Sequence, residues 1–126
     1  MSHTVFVYGT LRTGLPNWSA MLAPVQGELG ITQPEFTMRT LGRFPMVQRG
    51  GETAVTGEVM AVSGSQLAAI DELERHPAWY CREEITVQLH QGGAVTAWIY
   101  MLPPGTHPDA PIIESGNWVQ HLRRQV

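Results

Sequence analysis

The residues Val5-Phe6-Val7-Tyr8-Gly9-Thr10-Leu11-Arg12, with Thr13-Gly14 directly behind them, decide the fold. Four apolar or aromatic residues stand in a row, two of them β-branched, with no polar alternation. A strand that reads this way is buried on both faces. Gly9 breaks the run. A strand that ends in a Gly-containing turn presents backbone N–H groups at its C-terminal end. Such a row can hold a carboxylate, a phosphate or a developing oxyanion. A plain first strand with an ordinary turn has the same pattern, so this stretch fixes a central strand and leaves its chemistry open.

Downstream, short segments alternate with turn signals. Pro16 and Pro24 bracket one short helix or turn over residues 16–23. Residues 28–32 and 36–41 read as strands, the second half-buried because apolar and polar residues mix. Gly42-Arg43-Phe44-Pro45 interrupts, and the short run Met46-Val47-Gln48 is closed by Gly50-Gly51. Residues 54–62 form the next strand, in which Gly57 marks a bulge or the close approach of another backbone. Ser63-Gly64-Ser65-Gln66 is a capping box. It predicts a helix from residue 64 to about 75, stopped by His76-Pro77. Strands over 80–90 and 94–102 flank the hairpin signal Gln91-Gly92-Gly93. After a Pro-rich loop, a terminal helix starts near Asn117 and puts Trp118 and Leu122 on one face. Many short strands with one substantial helix indicate an α+β fold with a closed or nearly closed sheet. The 126 residues fit one domain, residues 1–126.

Composition narrows the function. Hydrophobic residues make up 43% of the chain, enough for a real core. Net charge is −3, and no basic cluster exceeds Arg123-Arg124, which argues against a nucleic-acid partner. Cys81 is the single cysteine, so no internal disulfide forms, which fits a reducing compartment. No basic-then-apolar leader opens the sequence and no apolar segment reaches membrane-spanning length. A soluble cytoplasmic protein without a membrane partner is the expectation. The histidines at 3, 76, 90, 107 and 121 lack metal-site spacing, so no metal is expected. Cys81 reads as a core thiol rather than a nucleophile. Trp18, Trp79, Trp98 and Trp118 read as core and cavity wall, since no basic groove accompanies them.

One acid stands out. At about 100° per residue, Glu74 falls between Leu67 and Ile70 on the apolar stripe of the predicted helix, while Glu72 and Arg75 point away. A carboxylate on an apolar face costs free energy unless paired or protonated, and partial burial lifts its pKa toward the range useful for acid–base chemistry. The same position at a helix end also allows Glu74 to point to water or to pair with Arg82. The wheel does not choose between these.

Phe6-Val7-Tyr8-Gly9-Thr10-Leu11 resembles the YGSL/YGTL signature of the γ-glutamyl cyclotransferase-like (AIG2-like) family. Residues 70–80, IDELERHPAWY, resemble its second motif, D-x-x-E followed by P-x-x-Y. Gly57-Glu58-Val59 and Ile113-Glu114-Ser115-Gly116-Asn117-Trp118 are similar to further family segments, in the same order. The likeness is greatest to the γ-glutamylamine cyclotransferase and small bacterial branch. It implies a small mixed β-barrel with flanking short helices and a cavity at one end. It implies that Tyr8, Gly9, Thr10 and Leu11 bind a γ-glutamyl group, that Glu74 is the catalytic acid–base, and that Tyr80 lies near the cavity. Thr10 stands where many members carry Ser, a change that a backbone role tolerates. The implied reaction releases 5-oxoproline from a small γ-glutamyl compound and needs no metal or organic cofactor. The alternative function is a binding module of the same fold that kept the pocket without the chemistry.

Overall fold

A computed structural model describes residues 2–124. In chain order the elements are β1 (Ser2–Val7), α1 (Pro16–Met21), β2 (Glu28–Thr32), β3 (Phe36–Thr40) and β4 (Pro45–Arg49). Then follow β5 (Thr56–Ser63), α2 (Gly64–Leu73), β6 (Cys81–Leu89), β7 (Ala94–Met101) and α3 (Trp118–Arg124). Five strands close into a barrel in the order β1-β5-β2-β6-β7, and β3-β4 forms a separate two-stranded hairpin. All barrel pairings are antiparallel except β1 with β7, which run parallel with Val5 opposite Trp98. The expected mixed barrel with short flanking helices is the observed architecture.

The uninterrupted apolar run of β1 has a direct explanation. Phe6 and Tyr8 join a core cluster with Ile85, Val87, Ala97 and Ile99. Val5 and Val7 join a second cluster with Leu22, Leu67 and Ile70 beside α1 and α2. Both faces of the strand are therefore buried, which leaves no position for the usual polar alternation. Each such side chain stabilises the fold by about 1.5–3 kcal/mol relative to exposure. Gly57 is the close approach that its place in a strand suggests. A Cβ there would lie 2.5 Å from the Val7 carbonyl oxygen and 2.7 Å from the Phe6 ring.

The capping box forms as expected. Gln66 N–H donates to Ser63 Oγ at 3.1 Å, and Ser63 N–H donates to Gln66 Oε1 at 2.8 Å. The helix ends earlier than the pattern suggested, at Leu73, with Glu74 as its C-cap. Arg75 takes φ +55°. Its N–H donates to Glu72 O at 3.2 Å, and His76 N–H donates to Asp71 O at 2.9 Å. Those two bonds are a Schellman ending, with an arginine in the left-handed position that glycine usually holds. Asn117 caps α3, its Oδ1 accepting from Gln120 N–H at 3.1 Å. Trp118 is fully buried and Leu122 packs beside it, as their spacing required. Cys81, expected in the core, is only half-buried, because it opens β6 at the end of the strand. No helix among the described residues is long and apolar enough to cross a membrane.

Candidate active site

A cavity of about 540 Å³ opens at one end of the barrel. Tyr8, Gly9, Thr10 and Leu11 line it from the end of β1, Glu74 from the end of α2, and Tyr80 from the segment before β6. All six residues singled out in the sequence thus face one space. Local hydrogen bonds fix them there. Arg12 N–H donates to Gly9 O at 3.0 Å, which closes a tight turn over residues 9–12. Among the described residues none accepts a hydrogen bond from the N–H of Gly9, Thr10 or Leu11. Glu74 N–H donates to Ile70 O at 2.9 Å, and Glu74 O accepts from Tyr80 N–H at 3.1 Å, so the backbones of the acid and the aromatic residue are tied together.

The Glu74 carboxylate makes no hydrogen bond or ion pair among the described residues. Arg82, its alternative partner in the sequence, is committed elsewhere. It grips Asp71 with two bonds, Nε to Oδ1 at 2.9 Å and Nη2 to Oδ2 at 3.3 Å, and stacks over Trp98 at 4.4 Å. Burial works against ionisation of Asp71, but bonds from Arg82 and Tyr100 outweigh it and hold that carboxyl below its usual range. Glu74 has no such donors. Burial raises its pKa from 4.5 to about 7.

Three tyrosines surround this acid, and all three hydroxyl protons are spent elsewhere. Tyr8 OH donates to Tyr100 O at 2.6 Å, Tyr80 OH to Pro45 O at 3.1 Å, and Tyr100 OH to Asp71 Oδ1 at 2.5 Å. Burial first, and the nearby Glu74 charge with it, holds the Tyr80 hydroxyl protonated above its ordinary value. Each phenol has one proton to give. With it committed, none of the three donates to Glu74. The acid end therefore favours a cation such as an ammonium group, while the free N–H groups of the turn favour an anion. Among the described residues no group of three or more His, Cys, Asp or Glu side chains could hold a metal ion.

Sequence reasoning missed several lining residues. Tyr100 read only as part of a central strand, and Arg43 and Phe44 only as a break between strands. Leu73 and Asn17 carried no separate signal. Gly42-Arg43-Phe44-Pro45 could have marked the site, since an aromatic and a cation on a tight turn are well placed to form a cavity wall. The support beneath the turn was also hidden. The side chains of Arg12 and Glu58 are almost fully buried and pair at 2.9 Å. Glu58 Oε1 also accepts from Thr13 N–H and Oγ1, and Arg12 Nη1 donates to Asn117 Oδ1 at 3.2 Å. This clamp binds the turn to β5 and to the cap of α3.

The barrel, the Gly turn and the unpaired Glu74 carboxylate facing it are the features of a small cyclotransferase-type domain. Residues 5–120 match the family model described as gamma-glutamyl cyclotransferase, AIG2-like, and the chain belongs to that family of enzymes. It is 38% identical over 123 residues to a Vibrio cholerae protein named as a candidate gamma-glutamylcyclotransferase, covering 97% of this chain and 100% of that one. It is 32% identical over 119 residues to human gamma-glutamylaminecyclotransferase, covering 85% of this chain and 71% of the human protein. The crystal structure of a mouse AIG2-like protein superposes with a TM-score of 0.76 at 29% identity, covering 90% of this chain and 87% of the mouse chain.

Proposed function

We propose that this chain releases 5-oxoproline from a γ-glutamyl amine or γ-glutamyl amino acid, with Glu74 as the proton shuttle. One observation carries the reading. An unpaired, half-buried carboxylate whose pKa is raised to about 7 shares a cavity with a turn whose N–H groups are free.

The chemistry follows from these groups. A γ-glutamyl amide carries its own nucleophile, the α-amino group, which is mostly protonated at neutral pH. Glu74 takes a proton from it. The amine nitrogen then attacks the side-chain carbonyl carbon, a C–N bond forms, and the ring closes. The attacking nitrogen gives up a second proton to become the lactam N–H, the former amide C–N bond breaks, and the two protons, carried in turn by Glu74, end on the departing nitrogen, which leaves as an ammonium ion. A shuttle with a pKa near the working pH can both accept and give each proton. Attack is intramolecular, so folding the substrate into a reactive conformer supplies much of the acceleration. The Gly9, Thr10 and Leu11 N–H groups bind the substrate's α-carboxylate or the developing oxyanion, and Tyr8 and Tyr80 shape the cavity. No cofactor enters any step.

A pocket without chemistry would be expected to be too narrow for substrate, or to have Glu74 locked in an ion pair. The cavity of about 540 Å³ and the pairing of Arg82 with Asp71 both count against that alternative. The test is a screen of γ-glutamyl compounds for 5-oxoproline release by wild type and Glu74→Gln. Release by wild type that is lost in the variant supports the reading. No release from any compound, or equal release by both proteins, overturns it.

A further inference from the structure

The cavity mouth carries a cation with no partner. Arg43 lines the same cavity as Glu74 and is exposed at the tip of the β3–β4 hairpin. Among the described residues no carboxylate lies within ion-pair distance of it, whereas Arg12, Arg49 and Arg82 are each paired. Its turn is held in place. Leu41 N–H donates to Phe44 O at 2.9 Å, and Gly42 N–H donates to Thr40 Oγ1 at 3.0 Å. Phe44 packs edge-on against Trp79 with ring centroids 5.7 Å apart. A second guanidinium, Arg75, stands 5.9 Å from the centre of the Trp79 ring. Arg43 is the cation that lines the cavity itself. An unpaired cation at the mouth of a low-dielectric cleft favours anionic ligands.

The reacting half of the substrate already has its partners. Its ammonium group goes to Glu74 and its carboxylate to the turn. The leaving amine is the part left to meet the rim, past the apolar surface of Leu73, Phe44 and Trp79. Resting on the cyclotransferase reading above, we propose that Arg43 is a specificity-determining residue that selects γ-glutamyl compounds whose leaving amine bears a carboxylate. γ-Glutamyl-α-amino acids meet that requirement, and simple γ-glutamyl alkylamides do not.

Two substrates isolate the effect. γ-Glutamyl-alanine and γ-glutamyl-ethylamide differ only by the carboxylate on the leaving amine. Wild type is expected to show a kcat/KM for 5-oxoproline release about 5- to 10-fold higher on γ-glutamyl-alanine, the size of a partly solvated guanidinium–carboxylate contact. Arg43→Gln should bring the ratio near one, through a higher KM for γ-glutamyl-alanine alone, with an unchanged thermal midpoint. Arg43→Lys should keep part of the preference. Equal use of both compounds by wild type overturns the proposal. So does an equal loss on both in Arg43→Gln, which would assign Arg43 to the glutamyl half. If neither compound yields 5-oxoproline, the wider screen of γ-glutamyl compounds decides the cyclotransferase reading separately, and calorimetric binding of the two compounds decides Arg43. A preference for γ-glutamyl-alanine that Arg43→Gln removes supports it, and equal affinity overturns it.

Discussion

Glu74 is an acid deprived of donors. The three tyrosines around it direct their protons to Tyr100 O, Pro45 O and Asp71, and the nearest arginine in sequence beyond Arg75 is held by Asp71. Its pKa rises on folding from 4.5 to about 7. Between those values the folded protein keeps a proton that the unfolded chain has released, so this group's contribution to stability falls as pH rises through that window. Glu74→Gln removes the dependence. The variant should be more stable than wild type by about 1–3 kcal/mol near pH 8, with the gain gone near pH 4.5. Thermal midpoints across that range check it. Activity should move the other way. Turnover should fall by roughly 10²–10⁴-fold, and the wild-type kcat/KM should rise with pH through about 7 as the base deprotonates. Gly9 is a second decisive residue, for a reason the sequence did not contain. In the sequence Gly9 reads as the break after a strand, opening a turn whose N–H groups can hold an anion. In the fold the close neighbour is Pro45, whose ring atoms lie 2.8 and 2.9 Å from where a Cβ would stand. Pro45 also accepts the Tyr80 hydroxyl. Gly9→Ala should therefore push β4 and Tyr80 together, costing about 1–3 kcal/mol of stability, which denaturant unfolding measures.

At the scale of elements, α2 matters most, because its ending aims the acid. The turn that follows Glu74 requires φ > 0, and Arg75 supplies it at a cost that glycine avoids. Arg75→Gly should stabilise the fold by about 0.5–1 kcal/mol, even after its contact with the Trp79 ring is lost. Arg75→Ala keeps the strained φ and should give no gain, so the pair of thermal midpoints separates backbone strain from side-chain contact. This ending also explains what the sequence could and could not say. The capping box Ser63–Gln66, the β1 run and the Gly92-Gly93 hairpin are local signals, and each element formed, although β1 starts at Ser2, three residues before the apolar run. The helix end was misplaced by two residues because a Schellman turn with arginine lacks the glycine that normally marks it. Glu74 was legible as an acid on an apolar face, yet its freedom from Arg82 was not, since Asp71 and Glu74 compete for the same cation from adjacent turns. Arg43, Phe44 and Tyr100 reach the cavity only through non-local pairing. Val5 meets Trp98 across the barrel's one parallel seam, and no local pattern encodes that contact.

Across the whole molecule, the site is assembled from segments that the barrel brings together, and one buried clamp fixes their relation. Arg12 closes the Gly turn, Glu58 lies on β5, and Asn117 sits at the cap of α3. The turn that offers its N–H groups to the cavity is therefore anchored from behind, by contacts that never touch the cavity. Removing one partner of a buried pair leaves an uncompensated charge, at a cost of about 3–5 kcal/mol, whereas removing both with groups of similar shape costs much less. Arg12→Met and Glu58→Gln should each lower stability strongly, and the double variant should recover part of the loss. Unfolding free energies of the four proteins close that cycle, and a coupling near zero would mean that the pair does not hold the turn. The same series reaches function. A loosened turn presents its N–H groups less well, so each single variant should raise KM for a γ-glutamyl substrate while Glu74, untouched across the cavity, keeps its pH dependence near 7. A single variant whose pH profile shifts, rather than its KM, would place the clamp's influence on the acid instead of on the turn.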